Sequence, residues 1–425
     1  MYLKQIYYYP YVMKFPKLKR NKIIDYQLKS LKEIIRHAYK TVPYYHRIFK
    51  KLNLRPEDIK NFKDLKKIPI IDKKEVIKNY EDFISKEYLE LYDLNYFFKR
   101  ITSGSTGIQF MVPYDQRGYD YAELVHLRAW LYAGYKLHEK IASYWYEPFK
   151  KRFYNYLGFI KKVYIPCNLS EIEQLRIIKR VKPKWLNYFP SSIYNMSKIA
   201  EIKDLRSLKI KGIITHAEIL TKTMKNRIEN TFNTDVYDEY GTTEFVRMAW
   251  QCKEKHYYHI DADSLFIEVI DKNGENVGYN KGGFIVVTGL LNYMFPLIRY
   301  NMYDIGELSD EKCNCGLNLP LIKGVYGRQE NFIKLPSGRI ISPQLFIDAL
   351  DKIKELNGFQ LFKKTKNELL INILLSQQNK KIENRIKNKI INCLQKITNG
   401  ELNIIVETVD KLKKTERGKI ILINS

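Results

Sequence analysis

No uninterrupted apolar run in these 425 residues approaches the roughly 20 residues that a bilayer-spanning helix needs, which excludes a transmembrane helix. The first residues, Met1 to Arg20, mix tyrosines with lysines and lack the small-residue cleavage site of a secretory signal, so the protein is expected in the cytoplasm. Cysteine is scarce and odd in number, five in all, which argues against a disulfide framework. Internal repeats and disorder-type composition are also missing. The net charge of +26 comes without a recognised nucleic-acid motif. Its lysines are spread among isoleucines, asparagines and tyrosines, as an AT-rich genome writes surface positions. A localised basic element is suggested at Lys14 to Arg20 and around Lys380-Lys381. No nucleic-acid partner is expected.

What is present is a multi-lobed enzyme's worth of core. Hydrophobic residues make up 45% and aromatics 14%, ample for burial, and the length suggests two domains. Helical spacing marks Tyr26 to Ala38, with Leu28, Leu31, Ile34 and Ile35 on one face. Ile210 to Thr215 reads as a buried strand, Leu220 to Phe232 as a helix, and Val236-Tyr237 as the next strand. That order suggests a mostly parallel sheet with its site at the strand ends. Leu265 to Ile270, a turn at Asp271 to Gly274, and Gly283 to Val287 read as an antiparallel unit. Leu369 to Leu375 (strand), Lys380 to Leu394 (basic amphipathic helix) and Leu402 to Val406 (strand) close the chain.

Four segments carry chemistry. Thr102-Ser103-Gly104-Ser105-Thr106-Gly107 combines four hydroxyls with two glycines, the makings of a backbone and side-chain cradle for phosphate. It is not a Walker A loop, because no Gly-Lys-Ser/Thr ending follows and Ile108 stands after the last glycine. Tyr240-Gly241-Thr242-Thr243-Glu244 offers an aromatic face for a purine, two hydroxyls for phosphate oxygens and a carboxylate suited to Mg²⁺. Asp304 ends a mixed aromatic and apolar segment, where it can accept both ribose hydroxyls. Arg328, in Gly327-Arg328-Gln329-Glu330, can reach a ribose or a phosphate. Taken singly, each of the four also fits a solvated turn.

A fifth set concerns metal. Cys313-Asn314-Cys315-Gly316 is a compact pair, and Cys252 is followed seven residues later by His259. Three thiolates and one imidazole make a closed tetrahedral site of the structural Zn²⁺ type. His256 is the alternative nitrogen ligand. Cys167 and Cys393 read as ordinary core thiols.

In this order the four segments resemble the adenylate-forming superfamily, which includes acyl-CoA synthetases, luciferases and peptide-synthetase adenylation domains. The likeness is closer to its phenylacetate–CoA ligase branch, including relatives in capsule-polysaccharide gene sets. It rests also on Ala38-Tyr39-Lys40-Thr41-Val42-Pro43-Tyr44-Tyr45 and Leu65-Lys66-Lys67-Ile68-Pro69-Ile70, and it runs from about Gln27 to Lys419. The Cys…His…Cys-x-Cys set is frequent in that branch. The resemblance implies an α/β fold. A large N-terminal domain, 1–328, would hold mostly parallel sheets plus a β-rich part, and 329–425 would form a small mobile α+β lid. It implies ATP held by Thr102 to Gly107, Tyr240, Gly241, Thr242, Asp304 and Arg328, Mg²⁺ on Glu244, and a catalytic set of Lys419, Glu244 and Thr243. Glu330 falls at the hinge, where aspartate or lysine is usual. Lys419, in Thr415-Glu416-Arg417-Gly418-Lys419, would enter the site when the lid closes. An acid pocket is expected from Tyr144, Trp145, His216, Ala217, Glu218 and Tyr237.

The implied activity is ATP-dependent activation of a small carboxylic acid to an acyl adenylate, then transfer to coenzyme A. Transfer to an amine or hydroxyl acceptor, and a catalytically inactive basic binding protein, are the alternatives. The acid, the acceptor and the oligomeric state are not legible.

Overall fold

The computed structural model describes residues 3–101, 109–149, 153–353, 355–375, 379–413 and 423–424. They fall into two compact units. The first comprises Met1–Ala133 and Glu239–Val325, the second Gly134–Asp238 and Tyr326–Ser425. Among the described residues, no helix is long and apolar enough to cross a membrane.

In the first unit, the helix Arg20–Thr41 buries Ile23, Gln27, Leu31, Ile34, Ile35 and Ala38, while Leu28, expected on the same face, is half-buried. It stops at Val42, which the following Pro43 holds in extended backbone. Two short strands, β1 (Phe98–Ile101) and β2 (Met111–Tyr114), pair antiparallel, with Ile101 opposite Met111. The phosphate-loop segment lies between them, and Thr102 to Gly107 are outside the described residues.

The second unit opens with β3 (Lys140–Trp145), β4 (Lys161–Pro166), β5 (Trp185–Tyr188) and β6 (Gly212–His216), all parallel in the order β4-β3-β5-β6. The next strand, β7 (Val236–Thr242), follows β6, and its residues through Asp238 belong to this unit. Helices Glu171–Val181, Pro190–Ile199 and Lys222–Phe232 carry residues of the core that includes Ala142, Tyr144, Leu186, Tyr188 and Ile213. Their limits are written locally. Ser170 and Glu173 form a capping box, Thr221 caps Met224 N–H, and Lys182 and Asn233 end two of the helices in left-handed backbone.

The remaining strands of the first unit are β8 (Val246–Gln251), β9 (Tyr258–Ile260), β10 (Leu265–Ile270), β11 (Gly282–Gly289), β12 (Tyr300–Ser309) and β13 (Leu321–Arg328, in this unit through Val325). The expected antiparallel pair is β10 with β11, Leu265 opposite Gly289 and Ile270 opposite Phe284. The turn after β10 is built by Asp271 Oδ1, which accepts the N–H groups of Asn273 and Glu275, and by Gly274 at φ +81°. The parallel part and the β-rich part of the sequence reading are therefore both present.

A charge cluster organises this unit's interior. Arg128, fully buried in the helix Gln116–Ala133, donates to both carboxylate oxygens of Asp263 (2.7 and 2.8 Å) and to Asp261 (2.6 Å). Arg247 and the Trp250 indole also bond Asp261, each at 2.9 Å. Buried charges persist only when paired and hydrogen-bonded in this way.

The chain from residue 329 packs in the second unit and has a core of its own, from Ile333 to Val406. Its strands include β14 (Ile333–Lys334), β15 (Ile340–Ile341), β16 (Leu356–Thr365), β17 (Glu368–Leu375), β18 (Asn403–Thr408) and β19 (Ile423–Asn424). The sheet order is β18-β17-β16-β19, and helices Pro343–Asp351 and Lys380–Thr398 accompany it. Within the unit, Lys198 Nζ donates to the carbonyls of Leu356 (2.9 Å) and Asn357 (2.6 Å), and Thr221 Oγ1 donates to Asp351.

Candidate active site

The Tyr240–Glu244 segment ends β7 and turns into β8. A β-bulge at Tyr240/Gly241 brings two backbones together, and a Cβ on Gly241 would run into the Val246 carbonyl. Only glycine fits there. Val246, a β-branched residue at φ +65°, carries strain on the far side of the turn, the kind of outlier that concentrates at functional sites. Tyr240 Oη donates to Asp304 Oδ2 at 2.6 Å, so the second and third sequence segments meet directly. Glu244 is held twice. Its carbonyl accepts Tyr114 Oη at 2.6 Å and its Oε1 accepts Tyr300 Oη at 3.2 Å. Thr242 Oγ1 accepts Phe245 N–H at 3.4 Å, and Thr243 is half-buried beside it. Sequence reading missed Tyr114 and Tyr300 as the clamps on Glu244, since nothing short-range marks them.

Arg328 closes β13 in the second unit, after Gly327 at φ +102°, and leads into the short turn Gln329–Asn331 that contains Glu330. Lys419 lies outside the described residues.

The second unit gathers most of the expected acid pocket. The rings of Trp145, Phe189 and His216 stand at the ends of β3, β5 and β6, with centroids 5.3 to 6.0 Å apart. Tyr237 lies 6.1 Å from Trp185. Ala217 takes φ +70°, and the next residue, Glu218, accepts Ser191 N–H at 3.0 Å, at the start of the helix Pro190–Ile199. Tyr144 goes elsewhere. Adjacent strand residues point to opposite faces, so it stacks on Tyr188 at 5.1 Å in the helix-side core, and from there its ring meets Phe189 edge-on at 5.3 Å. Phe189 was missed. Its only sequence signal is its place between a strand and the helix-opening Pro190.

In the first unit Cys252, His259, Cys313 and Cys315 converge, their ligand atoms all within 4.8 Å of one another. Cys252 Sγ and Cys313 Sγ are 3.6 Å apart, and Cys315 Sγ is 3.3 Å from His259 Nε2. A zinc tetrahedron with metal–sulfur bonds of about 2.3 Å sets sulfurs about 3.8 Å apart, so the spacing fits. Burial drives His259 down to about 4, keeping the imidazole neutral, and pushes the Cys252 and Cys315 thiols up. A divalent cation would reverse the thiol shifts. The four ligand atoms single out His259 over His256, whose ring lies 4.3 Å from that of Tyr257.

No protein-family model matches the chain. It is 27% identical to phenylacetate-coenzyme A ligase of Pseudomonas putida over 78% of this chain and 76% of that protein. It is 24% identical to Protein CapK of Staphylococcus aureus over 99% and 93% respectively. Its fold matches the crystal structure of 2-hydroxyisobutyryl-CoA ligase in the postadenylation state, with a TM-score of 0.80 at 16% identity over 97% and 91% of the two chains. The chain is therefore similar in sequence to phenylacetate-coenzyme A ligases and shares the fold of 2-hydroxyisobutyryl-CoA ligase. Its sequence relatives include phenylacetate-coenzyme A ligases and Protein CapK.

Proposed function

We propose that the site around Gly241 activates a carboxylic acid with ATP and that the acyl group passes to coenzyme A. The observation that carries this is that Tyr240 bonds Asp304 directly while Glu244 is held by Tyr300, which lies on β12 with Asp304, all in one unit. A substrate carboxylate oxygen attacks the α-phosphorus and the bond to the bridging oxygen breaks. Pyrophosphate leaves with that electron pair. The coenzyme A sulfur then attacks the acyl carbon, AMP departs, and the thiol proton goes to solvent. Tyr240 presents its ring to adenine while its hydroxyl orients the Asp304 carboxylate toward the ribose. Thr242 and Thr243, with Thr102 to Gly107, hold phosphate oxygens, and Arg328 reaches the ribose. Glu244 is the residue that would hold Mg²⁺, which shields phosphate charge when bound.

Pyrophosphate release over a panel of acids, with and without coenzyme A, tests the reading. Release without coenzyme A, trapped by hydroxylamine, establishes adenylation. Its absence for every acid leaves a non-catalytic binding role. A second reading, with an amine or hydroxyl acceptor, is favoured by the near-full-length likeness to CapK. It predicts adenylation that coenzyme A does not accelerate.

Glu244→Gln removes an anionic oxygen ligand but keeps the shape and the Tyr300 contact. It is expected to raise the Mg²⁺ concentration giving half-maximal adenylation by about tenfold. An unchanged Mg²⁺ dependence would take Glu244 out of the site. The Cys252, His259, Cys313 and Cys315 cluster is expected to hold about one Zn²⁺ per chain, as a structural tie between the end of β8, β9 and the link from β12 to β13. Metal analysis of protein prepared without chelators checks this, and a metal-free, fully folded preparation would refute it.

A further inference from the structure

Below the three-ring corner of the second unit lies a polar layer that the proposed reaction has not used. Ser143 on β3 stands opposite Asn187 on β5, which stands opposite Ile214 on β6. Alternation places Ser143 on the face of Trp145 and Ile214 on the face of His216, and the strand pairing sets Asn187 between them; Phe189 follows the end of β5, and its ring meets Trp145, His216 and also Tyr144. Ser143 and Asn187 therefore form a floor, one pleat toward the amino ends of the strands, under the rings. Both are nine-tenths buried or more, at 1% and 8% exposure. Among the described residues, Ser143 Oγ and Asn187 Oδ1 have no hydrogen-bond partner. Tyr188 Oη is also unpartnered, but it belongs to the opposite, helix-side face with Tyr144.

Buried polar atoms in folded proteins are nearly always satisfied, so two orphan oxygens side by side call for a donor from outside the chain. Flat apolar walls above them suit a ring. In a parallel sheet, ligands sit at the carboxyl ends of the strands, which directs the reacting carboxylate away from the floor. We propose that Ser143 Oγ and Asn187 Oδ1 receive a hydrogen-bond donor carried by the substrate. The acid is then a ring-bearing carboxylic acid with a hydroxyl or amino group on the end remote from its carboxylate. This rests on the carboxylate-activating reading above and narrows its substrate class. A pocket built to bond a hydroxyl discriminates strongly against the analogue lacking it, because the analogue leaves buried polar groups unpaired.

The test compares phenylacetate, 3- and 4-hydroxyphenylacetate, 4-aminophenylacetate and butyrate. Each is assayed for kcat/KM of pyrophosphate release and, separately, for equilibrium binding. Wild type, Ser143→Ala and Asn187→Leu are compared, with thermal unfolding as the fold control. Ser143→Ala removes one oxygen and keeps the packing, so it serves if Asn187→Leu does not fold. Wild type is expected to favour at least one hydroxy or amino acid over phenylacetate by about tenfold to a hundredfold. Ser143→Ala should cut that ratio several-fold, and Asn187→Leu should erase it. Pyrophosphate release with no preference, or a preference that neither variant alters, overturns the inference and leaves the activation reading standing. Preferential binding that Ser143→Ala weakens, with no pyrophosphate from any acid, does the reverse. Neither binding nor turnover with any of the five overturns both.

Discussion

Arg128→Met should lower the thermal unfolding midpoint by about 10 °C, a cost of about 3–5 kcal/mol. The methionine fills the volume, so the loss is electrostatic. Asp263 loses two charge-assisted bonds from Arg128 and Asp261 loses one, all inside the protein. Arg247 and Trp250 still hold Asp261, which leaves Asp263 as the exposed weakness in the design. A buried carboxylate without a cation escapes its penalty by binding a proton. Its folded-state pKa then stands above the unfolded value, so the variant recovers stability as pH falls. The gap between variant and wild type should narrow from pH 7.5 to 5.5, and Arg128→Met/Asp263→Asn should recover part of it at pH 7.5. Paired calorimetric scans at the two pH values read both effects. A midpoint within 2 °C of wild type would mean that the ion cluster is dispensable.

That cluster shows where sequence reading runs out. Arg128 sits on a helix and its carboxylate partners lie more than 130 residues away, so no local pattern announces it. Gly241 was legible because its neighbours form a dense, ordered motif, and the structure supplies the reason, a backbone too close for any Cβ. The metal-type cluster was legible because Cys-x-Cys spacing is local, and strand pairing of β8, β9 and β13 then carries His259 to it. The strands and helices of the second unit were legible from caps and apolar runs. The acid pocket was only half legible. Tyr144 and Trp145 were read as one lining, but alternation sends them to opposite faces. Phe189, Ser143 and Asn187 needed the register of β3 against β5, which sequence does not state.

Lys419→Ala is expected to divide the two half-reactions. The resemblance puts this lysine of the terminal Gly418-Lys419 pair at the α-phosphate during adenylation, where its ammonium offsets negative charge as the carboxylate attacks and pyrophosphate leaves. Removing a transition-state charge partner of this kind costs roughly 100-fold or more in rate. The fold should be untouched, because a charged lysine beside a glycine near the end of the chain contributes little to a core. The variant should also accept a chemically supplied acyl adenylate and pass its acyl group to the acceptor at close to the wild-type rate, since thiol attack forms no new charge at the α-phosphate. Both steps are best measured on one preparation, with unfolding as the control. Equal loss in both would make Lys419 a general binding lysine, and full adenylation would make it a solvated tail residue. Loss confined to the first step ties the end of the chain to the site around Gly241 and requires the C-terminal module to bring it there.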